Sequence, residues 1–274
     1  MAEYPELSQL ASQMKEKLTN HRITELDVRQ EKCLNMSAKD FAEVVCGKSV
    51  LDVKNYGKWI RIVLEDSLDI MLGLGMGADI YYYESNAPKT DRYQCRLELD
   101  HMIGFTCHFW WFGHFELYQA KDLSQNKKFQ KIGPLISDKN FTFDYFYDSI
   151  SKKNASVKNA ILSQAIVSGI GNAYIHDILF MSNVHPETKC NLISKSVYRT
   201  LYEEMKKQMM QALKKNGLVY ERDFYGRVGR FSVEDFQVAY KEGKKCPKCG
   251  CIINKIKTGN TTSFVCLHCQ NKQT

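Results

Sequence analysis

Residues 246–269 read CPKCGCIINKIKTGNTTSFVCLHC. Cys246-Pro247-Lys248-Cys249 and Cys266-Leu267-His268-Cys269 are two CxxC pairs with sixteen residues between them. Two such pairs at this spacing point to a tetrahedral zinc site, because each tight turn aims two thiolates at one ion. The residues between them predict a β-hairpin that turns near Gly259-Asn260. A disulfide pair or free thiols is the alternative reading. Four thiolates leave no open position, so Zn2+ is expected to be structural, supplying the stability that a short basic segment lacks. Cys251 is expected to stand outside the site.

The charge around this stretch is one-sided. From Ala239 to Thr274 there are seven lysines against the single acid Glu242, while the whole chain carries +7. A basic block beside a metal motif points to a polyanionic partner, with a solvated tail as the bland alternative. The chain has 274 residues, 44% of them hydrophobic. That composition excludes a disordered protein, and the length sits near the point where one core gives way to two. The first residues lack a basic segment followed by an apolar run, and no stretch reaches the roughly 18 apolar residues of a membrane span. The expectation is an unexported monomer, cytoplasmic or nuclear, with no membrane partner. The scattered Cys33, Cys46, Cys95, Cys107, Cys190 and Cys251 are expected to be reduced.

Upstream of the cysteines the pattern is helical. Val197, Leu201, Met205, Met209 and Leu213 form a stripe over 196–215, and Asn216-Gly217 reads as its stop. Before it, Val157, Ala160, Ile161 and Ala165 share a face, Gly169-Ile170-Gly171-Asn172 interrupts, and a short helix follows over 174–181. A Gly-x-Gly between helices serves close packing or, through exposed amides, phosphate binding. From 121 to 153 the chain is irregular and reads as a hinge. From Arg22 to Gln119 short apolar and aromatic runs, such as 59–64, 80–83 and 95–99, predict a sandwich or barrel of strands. Leu7, Leu10, Met14 and Leu18 lie on one face of an opening helix with Pro5 in its first turn.

Together these pieces resemble the formamidopyrimidine-DNA glycosylases and their endonuclease VIII relatives. The resemblance is carried by Met1-Ala2-Glu3-Tyr4-Pro5-Glu6, Gly57-Lys58-Trp59, Leu74-Gly75-Met76 and Trp111-Phe112-Gly113. It continues through Lys158, Gly169 to Tyr174, Ile178-Leu179-Phe180, His185-Pro186, Tyr225-Gly226-Arg227-Val228-Gly229 and Cys266 to Gln270, all in order along the chain. It implies an α+β multidomain fold. An N-terminal β-sandwich with flanking helices would span 1–135, a hinge 136–150, a helix–two-turn–helix domain 151–240 and a β-hairpin zinc finger 241–274. It also implies a DNA-repair glycosylase acting on damaged bases or abasic sites, with abasic-site lyase activity through a Schiff base.

The resemblance makes the α-amine of Ala2, freed by removal of Met1, the nucleophile at C1′. An α-amine titrates near pH 7.7–8, against about 10.4 for lysine, so part of it is neutral and nucleophilic near pH 7. Glu3 matches the family's catalytic carboxylate and Lys58 a contact to the flanking phosphate. Glu6, Met76, Trp110, Phe112, Lys158, Gly171, Asn172, Tyr225 and Arg227 are carried over as DNA-binding residues, and Cys246, Cys249, Cys266 and Cys269 as the metal ligands. From the residues alone, Glu3 and Glu6 read more readily as first-turn acids favoured by the helix dipole than as catalytic or DNA-binding groups. The aromatic run Phe109 to Phe112 reads equally as a buried strand. Three positions depart from the family. Ala2 replaces a proline, Thr261 falls where the finger carries an arginine, and Trp110 or Trp111 falls where an arginine faces the opposite base. A wedge of tryptophan stacks without reading a base edge, which predicts weak opposite-base preference. These departures also leave room for a damaged- or branched-DNA binder without chemistry. Residues 231–245 are additional sequence whose role the motifs do not indicate.

Overall fold

The computed structural model describes residues 2–85 and 90–272. Two compact units are present, and neither is a continuous segment.

The first unit contains the described part of 1–130 together with Asn216–Arg230. Helix α1 (Tyr4–Leu18) opens it, with Pro5 in the first turn as its missing N–H allows. The strands that follow are β1 (Ile23–Val28), β2 (Val50–Tyr56), β3 (Trp59–Leu64), β4 (Leu68–Gly73), β5 (Ala78–Glu84), β6 (Cys95–Leu99), β7 (Ile103–Phe109) and β8 (His114–Gln119), with α2 (Ala38–Val45) after β1. They form two antiparallel four-stranded sheets, ordered β1-β6-β7-β5 and β2-β3-β4-β8. Alternation explains the sandwich. Ile60, Ile62 and Leu64 of β3 and Cys95, Leu97 and Leu99 of β6 enter a shared core, while the residues between them face outward. Strand β4 departs from alternation because it is buried on both faces. Its buried acid, Asp69, lies on the face away from the shared core and is satisfied by a bidentate Arg61 fork with both contacts at 2.7 Å.

Segment 216–230 belongs to this unit, which its sequence did not signal. Phe224 is fully buried in the sandwich core, and its N–H donates to Gln13 Oε1 at 2.9 Å. Its carbonyl accepts from Tyr82 N at 2.8 Å, beside the edge strand β5.

The second unit holds Lys131–Lys215 and Phe231–Thr274. It contains α3 (Phe143–Ile150), α4 (Val157–Leu162), α5 (Ile175–Met181), α6 (Lys195–Lys214) and the hairpin β9 (Asn254–Thr258) and β10 (Thr261–Val265). The 121–153 stretch thus ends in a helix, so 136–150 is not a featureless hinge. Thr142 caps α3 by accepting from Tyr145 N, and Phe143, Phe146 and Ile150 are its buried face. The apolar spacing was there to read, but aromatic residues with weak helix propensity obscured it. The buried face of α6 is Tyr198, Leu201, Met205, Gln208, Met209 and Ala212, with Val197 and Leu213 at its margins.

The additional residues 231–245 are also accounted for. Asp177 of α5 is fully buried and its carboxylate accepts from three consecutive amides, Gln237, Val238 and Ala239. Phe231 and Phe236 pack edge-on and tilted against Tyr174. The segment is a strap that covers α5 before the chain enters the cysteines. Among the described residues no helix is long and apolar enough to cross a membrane.

Candidate active site and cysteine cluster

The N-terminus is held by long-range contacts. Glu3 is the N-cap of α1 and is 1% exposed. Its backbone N–H donates to Glu6 Oε2 at 2.9 Å, while Glu6 Oε1 accepts from Leu218 N at 2.9 Å. Gly217, at φ 77°, passes so close that a Cβ there would sit 2.6 Å from Glu6 Oε1. Glu6, expected as a DNA-binding residue, is therefore buried with both oxygens occupied, and what it does here is fix the backbone of Glu3. Ala2 is 5% exposed, its methyl in the core and its nitrogen bonded to Met1 in the full chain. Removal of Met1 would turn that nitrogen into an α-amine one residue before Glu3. Lys58 is half-buried in the two-residue turn Gly57-Lys58 that joins β2 to β3, with Gly57 at φ 64°. Helix α1 packs on both strands.

Met76, Trp110, Trp111 and Phe112 project from two turns of the same unit, β4–β5 and β7–β8. The turns are laced together. Met76 N donates to Trp111 O at 3.0 Å and Trp110 N to Gly77 O at 2.9 Å. Gly75, at φ 56°, leaves no room for a Cβ, which would lie 2.2 Å from Trp111 O. Trp110 is tethered, its Nε1 donating to Asp79 Oδ2 at 2.9 Å. Trp111 and Phe112 meet edge-on at 5.7 Å and stand 63% and 74% exposed. Phe112 sits at φ 55°, a left-handed conformation that costs a bulky residue energy. The aromatic run is thus divided: Phe109 is core, and the next three residues form an exposed apolar tip of a kind that marks an interaction site. Sequence left Trp110 and Trp111 equivalent, and the Asp79 bond separates them.

Tyr225 and Arg227 lie on the returning segment, organised by Asp223. Its Oδ1 accepts from Tyr225 N and Arg227 N, and its Oδ2 from Gln13 Nε2 and Arg227 Nε, all at 2.8–3.0 Å. The Arg227 guanidinium lies over the Tyr225 ring at 4.8 Å, with its side chain largely in solvent.

In the second unit, Cys246, Cys249, Cys266 and Cys269 have their sulfurs within 4.8 Å of one another. The Cys246–Cys269 and Cys249–Cys266 pairs are 3.8 and 3.4 Å apart. Four thiolates around one zinc at about 2.3 Å stand about 3.7 Å apart, so this set fits the ion. The cluster is docked on α5 and the residues after it. Lys248 Nζ donates to Phe180 O at 3.0 Å and Asn183 Oδ1 at 2.8 Å, and Gln270 Nε2 to Val184 O at 2.8 Å. Cys251 lies outside this set, exposed, although it could join Cys249 and His268 in a second grouping. The hairpin turns at Gly259-Asn260, as its sequence predicted.

Lys158, expected as a DNA contact, is instead completely buried under the hairpin. Its Nζ reaches Thr258 Oγ1 at 3.1 Å, Thr261 Oγ1 at 2.9 Å, Thr262 O at 2.6 Å and Ser263 Oγ at 2.8 Å. A side chain so enclosed has no surface to offer a phosphate. Thr261, at the position where the family arginine was expected, is one of its acceptors. Burial pushes the Lys158 ammonium down to about 8. The neighbouring His176 is kept neutral, pushed down to about 3 by burial and then by Lys158. The unfolded chain therefore binds the Lys158 proton more tightly than the folded one, and stability should rise between about pH 8 and 10.4. Urea unfolding at pH 7.5 and 9.5 is expected to show a gain of about 1–2 kcal/mol in the wild-type chain relative to Lys158→Met. Identical pH profiles would show that this proton is not linked to folding.

Gln164 holds the glycine turn, accepting from Gly169 N at 2.8 Å and donating to Ile170 O at 2.7 Å. Gly171 is buried, and Asn172 keeps a buried Oδ1 without a partner.

Two family models match the chain: the formamidopyrimidine-DNA glycosylase N-terminal domain over residues 1–110 and the formamidopyrimidine-DNA glycosylase H2TH domain over residues 132–222. The formamidopyrimidine-DNA glycosylase of Lactobacillus acidophilus is 29% identical over 234 residues, 84% of each chain. That of Actinobacillus succinogenes is 36% identical over 158 residues, 57% of this chain and 58% of the relative. The fold is shared with the Lactococcus lactis enzyme in complex with DNA containing an abasic site, at a TM-score of 0.88 and 22% identity, covering 99% of this chain and all of that one. Family models at both ends of the sandwich-to-helix order, and relatives along most of the length, agree with the motifs: the chain belongs to the formamidopyrimidine-DNA glycosylase family.

Proposed function

We propose that this chain excises damaged bases from DNA with the α-amine of Ala2 as nucleophile, and then cleaves the strand as an abasic-site lyase. The observation that carries this reading is the anchored N-terminus: Glu6 grips Glu3 N and Leu218 N, so the backbone of Glu3, and with it the neighbouring Ala2, is held in place. In the proposed reaction the neutral amine forms a bond to C1′ as the bond from C1′ to the base breaks. The resulting Schiff base makes the adjacent sugar proton acidic, and its removal expels the 3′ phosphate. Glu3 manages protons at the sugar, and Lys58 holds the flanking phosphate. Asn172, Gly171, Tyr225 and Arg227 contribute further backbone contacts to the DNA. Zn2+, held by Cys246, Cys249, Cys266 and Cys269, would supply fold stability and no chemistry.

The exposed tip fits the space left when a base leaves the stack, a step costing a few kcal/mol. Met76, Trp111 and Phe112 fill it by stacking, with Trp110 as their fixed support. Borohydride treatment of the protein with abasic-site DNA is expected to trap a covalent adduct, and untreated DNA is expected to be nicked. Nicking of DNA with one lesion opposite each of the four bases is expected to vary by less than about fivefold, because Met76, Trp111 and Phe112 of the tip offer no bidentate hydrogen bonds to a base edge. Cleavage without a trapped adduct would replace the amine with water as nucleophile. A strong preference for cytosine would remove the stacking wedge.

A further inference from the structure

In the first unit, beside the aromatic tip but outside the residues assigned to the DNA reaction, two thiols meet. Cys33 Sγ and Cys95 Sγ are 3.4 Å apart, and both side chains are buried. Cys33 lies in the short 3-10 turn Glu31–Cys33 after β1, while Cys95 begins β6, opposite Val28 in β1 and Cys107 in β7. We propose that Cys33 and Cys95 form an oxidisable dithiol site, whose substrate is a peroxide and whose product is a disulfide beside the aromatic tip.

Access and asymmetry support the assignment. Cys33 lines an open pocket of about 620 Å³ whose other walls include Lys32, Gln94, Trp110 and Phe112, whereas Cys95 has no exposed surface. A small oxidant therefore meets Cys33 first. The hydrogen bond from Cys95 holds the Cys33 thiol below its ordinary value, while the same contact and burial push Cys95 up. The thiolate is the reactive form, so Cys33 is the attacking sulfur and Cys95 the resolving one. The Cys33 thiolate attacks one peroxide oxygen, the O–O bond breaks, and the departing hydroxide takes up a proton to leave water and a sulfenic acid. Cys95 sulfur then attacks Cys33 sulfur, the S–O bond breaks, and the hydroxide released takes the Cys95 proton. Two thiols and one peroxide give one disulfide and two waters. The sulfurs need only close from 3.4 Å to about 2.05 Å. Disulfides in reducing compartments are usually transient or redox-sensing, which matches a pair poised at contact without being joined.

The bond would reach the tip through one residue. Gln94, next to Cys95, clamps Phe109 from both sides, its Oε1 accepting from Phe109 N at 2.8 Å and its Nε2 donating to Phe109 O at 3.1 Å. Phe109 is the last residue of β7, immediately before the exposed turn.

The test uses the zinc-loaded full chain with one equivalent of hydrogen peroxide, followed by alkylation of remaining thiols and mapping of linked peptides by mass spectrometry. The expected result is a peptide pair joined through Cys33 and Cys95, which dithiothreitol separates and Cys33→Ser eliminates entirely. In Cys95→Ala the sulfenic acid on Cys33 is expected to persist and be captured by dimedone. Alkylation of both thiols in peroxide-treated wild-type protein would overturn the proposal. So would a Cys95–Cys107 link in their place, or a sulfinic acid at Cys33 as the main product.

Discussion

Glu3→Gln is expected to lower base excision and strand scission by about 10²–10⁴-fold, the range over which a positioned proton-transfer group contributes. The substitution is nearly isosteric and leaves the backbone N–H of residue 3 donating to Glu6 Oε2, so the start of α1 is retained. What disappears is a carboxylate that can accept and return a proton at the sugar. The readouts are single-turnover excision, borohydride trapping and thermal unfolding on the same preparation. Excision and trapping are expected to fall together while Tm and DNA affinity stay within error. Glu6→Gln is the structural comparison. Its side chain must present an NH₂ to one of two backbone N–H donors, Glu3 N or Leu218 N, and the unmet contact is expected to cost about 1–3 kcal/mol. Activity that falls in Glu3→Gln only in proportion to lost stability would place Glu3 with the helix cap and not with the chemistry.

Removal of the metal is expected to have the second large effect. Structural zinc contributes about 10–16 kcal/mol of folding free energy in finger peptides, and the other supports of this segment are the Lys158 hydrogen bonds and a small core that includes Phe180, Ile253 and Phe264. With the thiolates released, the hairpin frees itself from the Lys158 ammonium, which loses its four oxygen acceptors. Lys248 loses its seat on Phe180 and Asn183. Lys255 and Lys257 of β9 are then no longer presented on a fixed surface. Chelation, or Cys266→Ser, is expected to release one zinc per chain and to weaken DNA binding by about tenfold or more at moderate salt, since phosphate contacts supply much of such affinity. A chromogenic chelator gives the stoichiometry and fluorescence anisotropy the affinity. DNA binding unchanged by complete metal removal would detach the finger from recognition.

The finger was legible because its information is local. Two CxxC turns and a Gly259-Asn260 hairpin are set by residues within two dozen positions of one another, and the register observed is the one that spacing allows. The same holds for α1, for the alternating strands and for α6, where a period of 2 or 3.6 is imposed by backbone geometry alone. Helix α3 was present in the spacing of Phe143, Phe146 and Ile150, but flanking breaks and aromatic propensity masked it. The motifs also placed Ala2, Glu3 and Glu6 together, since they are neighbours along the chain.

By itself, then, the sequence determined the succession of opening helix, strands, helices and cysteine hairpin, though not α3, together with the cysteine set and the family. Only the tertiary structure decided that Glu6 holds Leu218, 212 positions away, and that Asp223 returns to Gln13 across 210. It alone buried Lys158 beneath Thr261, tied Trp110 and not Trp111 to Asp79, and brought Cys33 against Cys95. Periodicity reports which face of a helix or strand a residue occupies. It carries no record of which distant segment covers that face, because the covering contacts form only when the core closes and the cost of ordering both partners is met at once.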